Sequence, residues 1–242
     1  MTSTPAPSEV IRRRRLYEEV ASRIEAMIHD GSLKPGDQLP SERELMRRYG
    51  VGRPAVREAL FALQKMGLVA VSAGDRARVT RPTPEVVVES LSGAARHMLA
   101  APHGVRSFQD ARVFFEVGLA RHAATHASNG DIAEIRRALE ANRLTIGDIP
   151  RFEKTDVEFH YVLAVIPRNP IFPAIHAAIA EWLVEQRHIT LRRPGQNEIA
   201  YQAHAAIARA IEARDPDRAE RLMRAHLEQV ASVYWDAVEP GR

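Results

Sequence analysis

The sequence predicts a mostly α-helical protein in two parts: an N-terminal winged helix-turn-helix and, behind it, an all-helical bundle of about seven helices. Three observations predict it. A serine-capped helix and a proline-started helix follow each other within residues 41–66, and two β-patterned runs close that region. Arg81-Pro82-Thr83-Pro84 then interrupts the chain, because two prolines in three residues continue neither a helix nor a central strand. Beyond it every apolar pattern repeats at helical spacing.

Residues 1–11 are expected to form a disordered leader without the apolar core of a signal peptide. Residues 12–81 form the first domain, 82–84 the linker and 85–238 the bundle. Residues 14–30 carry Leu16, Val20, Ile24, Met27 and Ile28 at helical spacing, and Lys34-Pro35-Gly36-Asp37 is a turn. Ser41-Glu42-Arg43-Glu44 is a capping box that starts a helix ending near Tyr49-Gly50. A third helix opens at Arg53-Pro54, buries Val56, Ala59, Leu60, Leu63 and Met66, and stops at Gly67. Leu68–Val71 and Arg76–Thr80 read as paired strands around an Ala73-Gly74-Asp75 turn, the wing. The bundle helices are expected at 85–101, 107–127, 131–146, 151–166, 171–192, 197–213 and 216–238, the last capped by Asp215-Pro216.

The 242 residues contain no cysteine, which excludes disulfides, thiolate metal sites and a cysteine nucleophile. No apolar run is long enough to span a bilayer, and a cytoplasmic location without membrane contact fits. Charge is unevenly spread. Through Arg81 there are 15 Lys and Arg against 10 Asp and Glu, a net of +5; the remainder has 19 against 21, a net of −2. A basic first part suits a polyanion.

Side chains on the third helix sharpen that reading. Arg53 and Arg57 lie one turn apart, opposite Val56, Leu60 and Leu63, so both can enter a major groove. Arg43, on the preceding helix, is placed to reach the same groove or its phosphates. Gly52 and Ala55 leave room for close approach, and Gly74 at the wing tip suits a minor groove, flanked by Arg76 and Arg78. An ordinary solvated arginine face remains the alternative. Arg12–Arg15 reads equally as a phosphate-facing arm or a solvated helix start.

Gly36–Leu45 followed by Val51–Leu60 resembles the signature of the GntR family of bacterial regulators. The resemblance implies a homodimer on double-stranded operator DNA, with Arg43, Arg53, Arg57 and Gly74 as contacts. An all-helical second domain resembles the FadR subfamily, whose effector domain is called FCD.

In the bundle, Asp156 and His160 share a helix face, and His204 and His226 sit on the last two helices. By spacing alone, buried core histidines are the commoner reading. The segments Asp156–His160, Ala203–Ile207 and Met223–Leu227 are similar, in order, to the metal-binding FCD pattern. That resemblance implies a divalent metal on Asp156, His160, His204 and His226, zinc first and nickel, manganese or iron as alternatives. His97, His103, His122, His126, His176 and His188 have no such match and read as structural or surface residues. Arg112 resembles an arginine near the start of this domain that can clamp an effector carboxylate; a salt bridge to Glu116, four residues on, is the competing reading. Arg187 is a weaker candidate of the same kind.

Within the subfamily, Gly74–Val79, Glu89–Gly93 and Ile166–Phe172 are similar to repressors of amino-sugar and sugar-acid catabolic genes. The effector implied is a small carboxylate, sialic acid (N-acetylneuraminate) or another sugar acid. Two departures set limits: the leader is shorter, and Glu185–Ile189 match poorly. A metal-dependent enzyme is the rival class. It lacks support, because there is no His-Glu-x-x-His motif and Glu158 points away from the Asp156–His160 face. A non-specific architectural DNA binder would need no polar site inside its bundle.

Overall fold

A computed structural model describes residues 15–72 and 75–239. Their order is α1 (Leu16–His29), α2 (Glu42–Tyr49), α3 (Arg53–Lys65), β1 (Val69–Ala70), β2 (Arg78–Val79), α4 (Pro84–Leu99), α5 (Gly104–His126), α6 (Asn129–Arg143), α7 (Ile149–Val165), α8 (Ile171–Trp182), α9 (Val184–Leu191), α10 (Gln196–Glu212) and α11 (Pro216–Val238). Two compact units result, Met1–Ser90 and Leu91–Arg242, so the division falls inside α4. The leader 1–11, Arg12–Arg14 of the basic run and the wing-tip Gly74 lie outside the described residues.

The first unit is built on its caps. Ser41 Oγ accepts from the Glu44 backbone N–H, and the Glu44 carboxylate accepts from the Ser41 N–H at 2.7 Å, so two orphan donors of α2 are satisfied at once. Pro54 sits in the first turn of α3, where its missing N–H costs nothing. Val20 and Ile24 of α1, Leu45 of α2, and Val56, Ala59 and Leu63 of α3 bury together with Leu39, Val69 and Val79. Each large apolar side chain buried there contributes roughly 1.5–3 kcal/mol.

The wing is shorter than the sequence pattern suggests. Among the described residues only Val69↔Val79 and Ala70↔Arg78 pair between β1 and β2. A segment read from sequence as following a turn joins the ladder: Gln38 bridges Arg78, and the Val79 N–H donates to the Asp37 carbonyl at 2.9 Å. The hairpin is thereby tied to the segment leading into α2.

Gly67 ends α3 in the left-handed region at φ +70°, and the Leu68 N–H reaches back to the Leu63 carbonyl at 3.0 Å. A Cβ at Gly67 would stand 2.9 Å from Val86 Cγ1. Gly67→Ala is therefore expected to destabilise this unit by about 1–3 kcal/mol, combining left-handed strain with a forced shift of Val86. Faster hydrogen exchange of α3 amides in the full chain would report it.

In the second unit α5 and α11 run antiparallel as its longest pair. Arg121 at one end pairs with Asp217 at 2.6 Å, and Trp235 Nε1 donates to Gln109 at 2.8 Å toward the other. Ser128, Asp148 and Asp215 cap α6, α7 and α11. Val117, Ala120, Ala123, Ile135, Phe159, Leu163, Ile207, Ile211, Met223 and Leu227 form the core.

One expected helix is two. The predicted 171–192 segment breaks at Leu183, whose backbone turns to φ −101°, ψ +20°, giving α8 and α9 and eight helices after the wing among the described residues. Leu183 is buried, and the Ala180 carbonyl accepts from Arg187 Nη2 at 2.7 Å and Nη1 at 3.1 Å. A guanidinium thus satisfies a carbonyl near the break. No described helix is long and apolar enough to cross a membrane.

Candidate nucleic-acid interface and metal centre

Arg53 and Arg57 project from α3 into solvent, on the face away from buried Val56, Ala59, Leu60 and Leu63. The Glu42 carboxylate, at the start of α2, lies 3.8 Å from Arg53 Nε and 3.5 Å from Arg57 Nε. It holds both guanidinia on one side of α3. At these exposures the pairs add little stability; their effect is orientation. Arg43, next to Glu42 in sequence, is exposed on α2. In the wing, Arg76 is exposed, whereas Arg78 Nη1 donates to the Gly36 carbonyl at 3.2 Å and so braces the hairpin. Exposed cations on the second helix, the third helix and the wing of one small unit suit a duplex, whose phosphates and guanine edges both accept from guanidinium.

The centre of the second unit is polar. His160 of α7, His204 of α10 and His226 of α11 are buried, and one nitrogen from each lies within 4.8 Å of the other two. His204 Nε2 and His226 Nε2 are 3.3 Å apart. Two nitrogens bound tetrahedrally at 2.0–2.1 Å from zinc stand about 3.3–3.4 Å apart, so this spacing already suits a shared cation. Asp156, one turn before His160, brings Oδ1 to 3.6 Å from His204 Nε2, and its Oδ2 lies 3.8 Å from Arg187 Nε.

The surrounding groups fix how these rings present themselves. Asn142 Nδ2 donates to Thr155 Oγ1 at 3.1 Å, so its Oδ1 is the atom facing His204 Nδ1 at 2.9 Å. That makes His204 Nδ1 the protonated nitrogen and leaves a lone pair on Nε2, toward His226. Glu116 Oε2 contacts His160 Nδ1 at 2.5 Å, which turns His160 Nε2 to the opposite side, where it has no hydrogen-bond partner. Phe159 stacks on His204 with ring centroids 4.3 Å apart.

Electrostatics agree with the geometry. Burial, then neighbouring His160 and Arg112, push His204 well below the usual imidazole range; burial, then His204 and His160, do the same to His226. Neutral imidazoles are the form that binds a metal. Burial opposes ionisation of Glu116, yet Arg112 and His160 hold its carboxyl well below the usual range. Three imidazoles with a flanking carboxylate fit a first-row divalent metal.

Arg112 makes the ion pair that was its competing sequence reading: its Nε donates to Glu116 Oε1 at 2.7 Å. Both arginines read as effector contacts are largely buried and engaged with protein groups, Arg112 with Glu116 and Arg187 with Ala180 and Asp156. Sequence reasoning missed Asn142 and the contact of Glu116 with His160; one further ring nearby is that of His176, read from sequence as structural or surface. His176 is buried on α8 with ring centroids 6.5 Å from His160, and burial first of all pushes its pKa down to about 4. No local signal marked His176, since its partners lie on other helices. Glu158 is exposed on α7, away from the cluster.

Residues 16–79 match the family described as bacterial regulatory proteins of the gntR family, and residues 108–229 match the FCD domain. The chain belongs to the GntR family. Within it, the FCD match puts this GntR regulator in the FadR subfamily: a regulator of transcription and not an enzyme. The HTH-type transcriptional repressor NanR of Salmonella newport is 45% identical over 230 residues, covering 94% of this chain and 88% of that protein. NanR of Salmonella typhimurium is 45% identical with 94% and 87% covered. Among solved structures, Streptococcus agalactiae GntR aligns with a TM-score of 0.59 at 22% identity, covering 89% of this chain and 99% of that one. E. coli McbR/YncC aligns at 0.52 and 16% identity, with 94% and 100% covered. These two likenesses speak to the fold alone.

Proposed function

We propose that this GntR regulator is a metal-containing repressor of amino-sugar or sugar-acid catabolic genes, released from its operator by N-acetylneuraminate or a related acid. The observation that carries the reading is 45% identity to NanR across nearly the whole chain, effector domain included. The histidine cluster supports the metal. His160, His204 and His226 with Asp156 would hold it, zinc first, with nickel, manganese and iron as alternatives. An effector oxygen would enter as a fifth or sixth ligand beside these four, and Arg112 and Arg187 would add positive charge for a carboxylate. Arg43, Arg53, Arg57 and Gly74 would contact DNA, as a dimer on a short symmetric operator. Release is a population shift: the acid binds better to one arrangement of the two DNA-binding units and changes operator affinity by a coupling of about 1–3 kcal/mol.

A gel shift on the gene's own upstream DNA tests this with N-acetylneuraminate, D-glucuronate, D-gluconate and lactate. Release by N-acetylneuraminate is expected. An intact complex with N-acetylneuraminate and release by another acid would reassign the effector; no specific complex with that DNA would refute the operator assignment.

Asn142 gives a gentler test of the metal. Asn142→Ala removes the group that orients His204 without touching a ligand, and is expected to weaken zinc about 10–100-fold. Competition against a chromophoric chelator measures it.

A further inference from the structure

Besides Glu116 Oε2 and His160 Nδ1, which face each other, six buried side-chain polar atoms among the described residues of the second unit have no hydrogen-bond partner. His160 Nε2, His226 Nδ1 and His176 Nδ1 surround the histidine cluster. Three more such atoms, Gln109 Nε2 on α5, Trp182 Nε1 on α8 and Gln186 Oε1 on α9, belong to residues outside it. Two helices connect the two sets. On α5, Gln109, Arg112 and Glu116 recur at i, i+3 and i+7 on one face, and seven residues of helix rise about 10 Å. On α8, His176 stands at the cluster and Trp182 among the other three, six residues or about 9 Å along.

Cross-links bring α5, α8 and α11 together around Gln109 and Trp182. Phe108, beside Gln109, meets Trp182 edge to face at 5.3 Å, and Trp235 Nε1 donates to Gln109 Oε1 at 2.8 Å. An indole only donates, so that bond fixes the Gln109 amide and makes its unpaired atom an N–H donor. Trp182 Nε1 is a second donor, and Gln186 Oε1 is an acceptor. Gln109 and Gln186 are both more than nine-tenths buried. Unpaired groups so deep are costly, and they are kept where something polar comes to meet them. Two donors and one acceptor complement a hydroxyl or an amide, which accepts through its oxygen and donates through its O–H or N–H.

We propose that Gln109, Trp182 and Gln186 form a distal subsite of the effector pocket, reading a hydroxyl or amide about 10 Å from the end of the acid held at the histidine cluster. This rests on the effector reading above and adds the ligand's shape: an elongated, polyhydroxylated or acylamino acid. A short 2-hydroxy acid such as lactate fills only the cluster end.

The test uses the zinc-loaded full chain, titrated calorimetrically with N-acetylneuraminate, D-glucuronate, D-gluconate and lactate. Gln109→Leu, Gln186→Leu and the milder Trp182→Phe, which keeps the ring and removes the N–H, are compared with wild type. Each is expected to keep its zinc and its operator affinity, to bind the preferred sugar acid about tenfold or more weakly, and to leave lactate binding unchanged. Sugar-acid affinity within twofold of wild type in Trp182→Phe and Gln109→Leu overturns the subsite, ordered water then being the partner, and leaves the effector reading standing. Equal losses for sugar acid and lactate overturn it too, since they mark a structural role. A wild-type chain that binds none of the three sugar acids overturns the effector reading and the subsite with it.

Discussion

The double substitution Arg53→Ala, Arg57→Ala is expected to lower operator affinity by about 10²–10⁴-fold, since each arginine that meets a base edge or phosphate contributes roughly 1–3 kcal/mol. The fold should not move. Both side chains are largely solvent-exposed, and the apolar face of α3 that packs on α1 is untouched. Their partner, Glu42, is itself partly exposed and is left with water, a small cost. Fluorescence anisotropy on operator and on random DNA of equal length separates the two roles an arginine can play. Loss confined to the operator marks base reading; parallel loss on both, with a shallower salt dependence, marks phosphate contact. Affinity within twofold on both would return these residues to the ordinary solvated face that the sequence left open.

Why the DNA-binding unit was readable while part of the effector unit was not follows from where the determinants lie. Ser41 and Glu44, Gly52 and Pro54, and Gly67 act within a few residues of themselves, and the helices begin and end at them. Asp156 and His160 share a face because of helical periodicity alone. The break at Leu183 contains neither glycine nor proline. It depends on burial of one leucine and on Arg187 folding back to Ala180, which no local pattern encodes. The third contributor to the wing ladder, Gln38, pairs with a residue forty positions away. The partners that fix His204 and His160 are likewise distant: Asn142 lies 62 residues before His204. A histidine's neighbours within its helix say that it is buried; only the other helices say which nitrogen carries the proton.

Removing a histidine of the cluster is the second large effect, and His226→Ala is the cleaner choice. His204→Ala would orphan Asn142 Oδ1 and unstack Phe159, so some of its loss would be ordinary packing. His226 leaves no residue outside the cluster unpaired: its Nδ1 is already without a partner, its Nε2 faces His204 at 3.3 Å, and its ring stacks on His160. Bound zinc in His226→Ala is expected to fall to background after dialysis, because losing a direct ligand exceeds the roughly 10–100-fold cost of losing an outer partner. Stability supplies an independent readout. A metal held at 100–1,000 times its dissociation constant stabilises the folded chain by about 2.7–4.1 kcal/mol, so chelator should lower the wild-type unfolding midpoint by several degrees. The same chelator should leave the midpoint of His226→Ala where it was. If both proteins retain equal zinc, or neither responds to chelator, the three imidazoles are a neutral, hydrogen-bonded core and the metal reading is wrong. If wild type alone responds, the cation is part of the fold around which α7, α10 and α11 are set, and the acid that releases DNA meets a bundle already held in register by its metal.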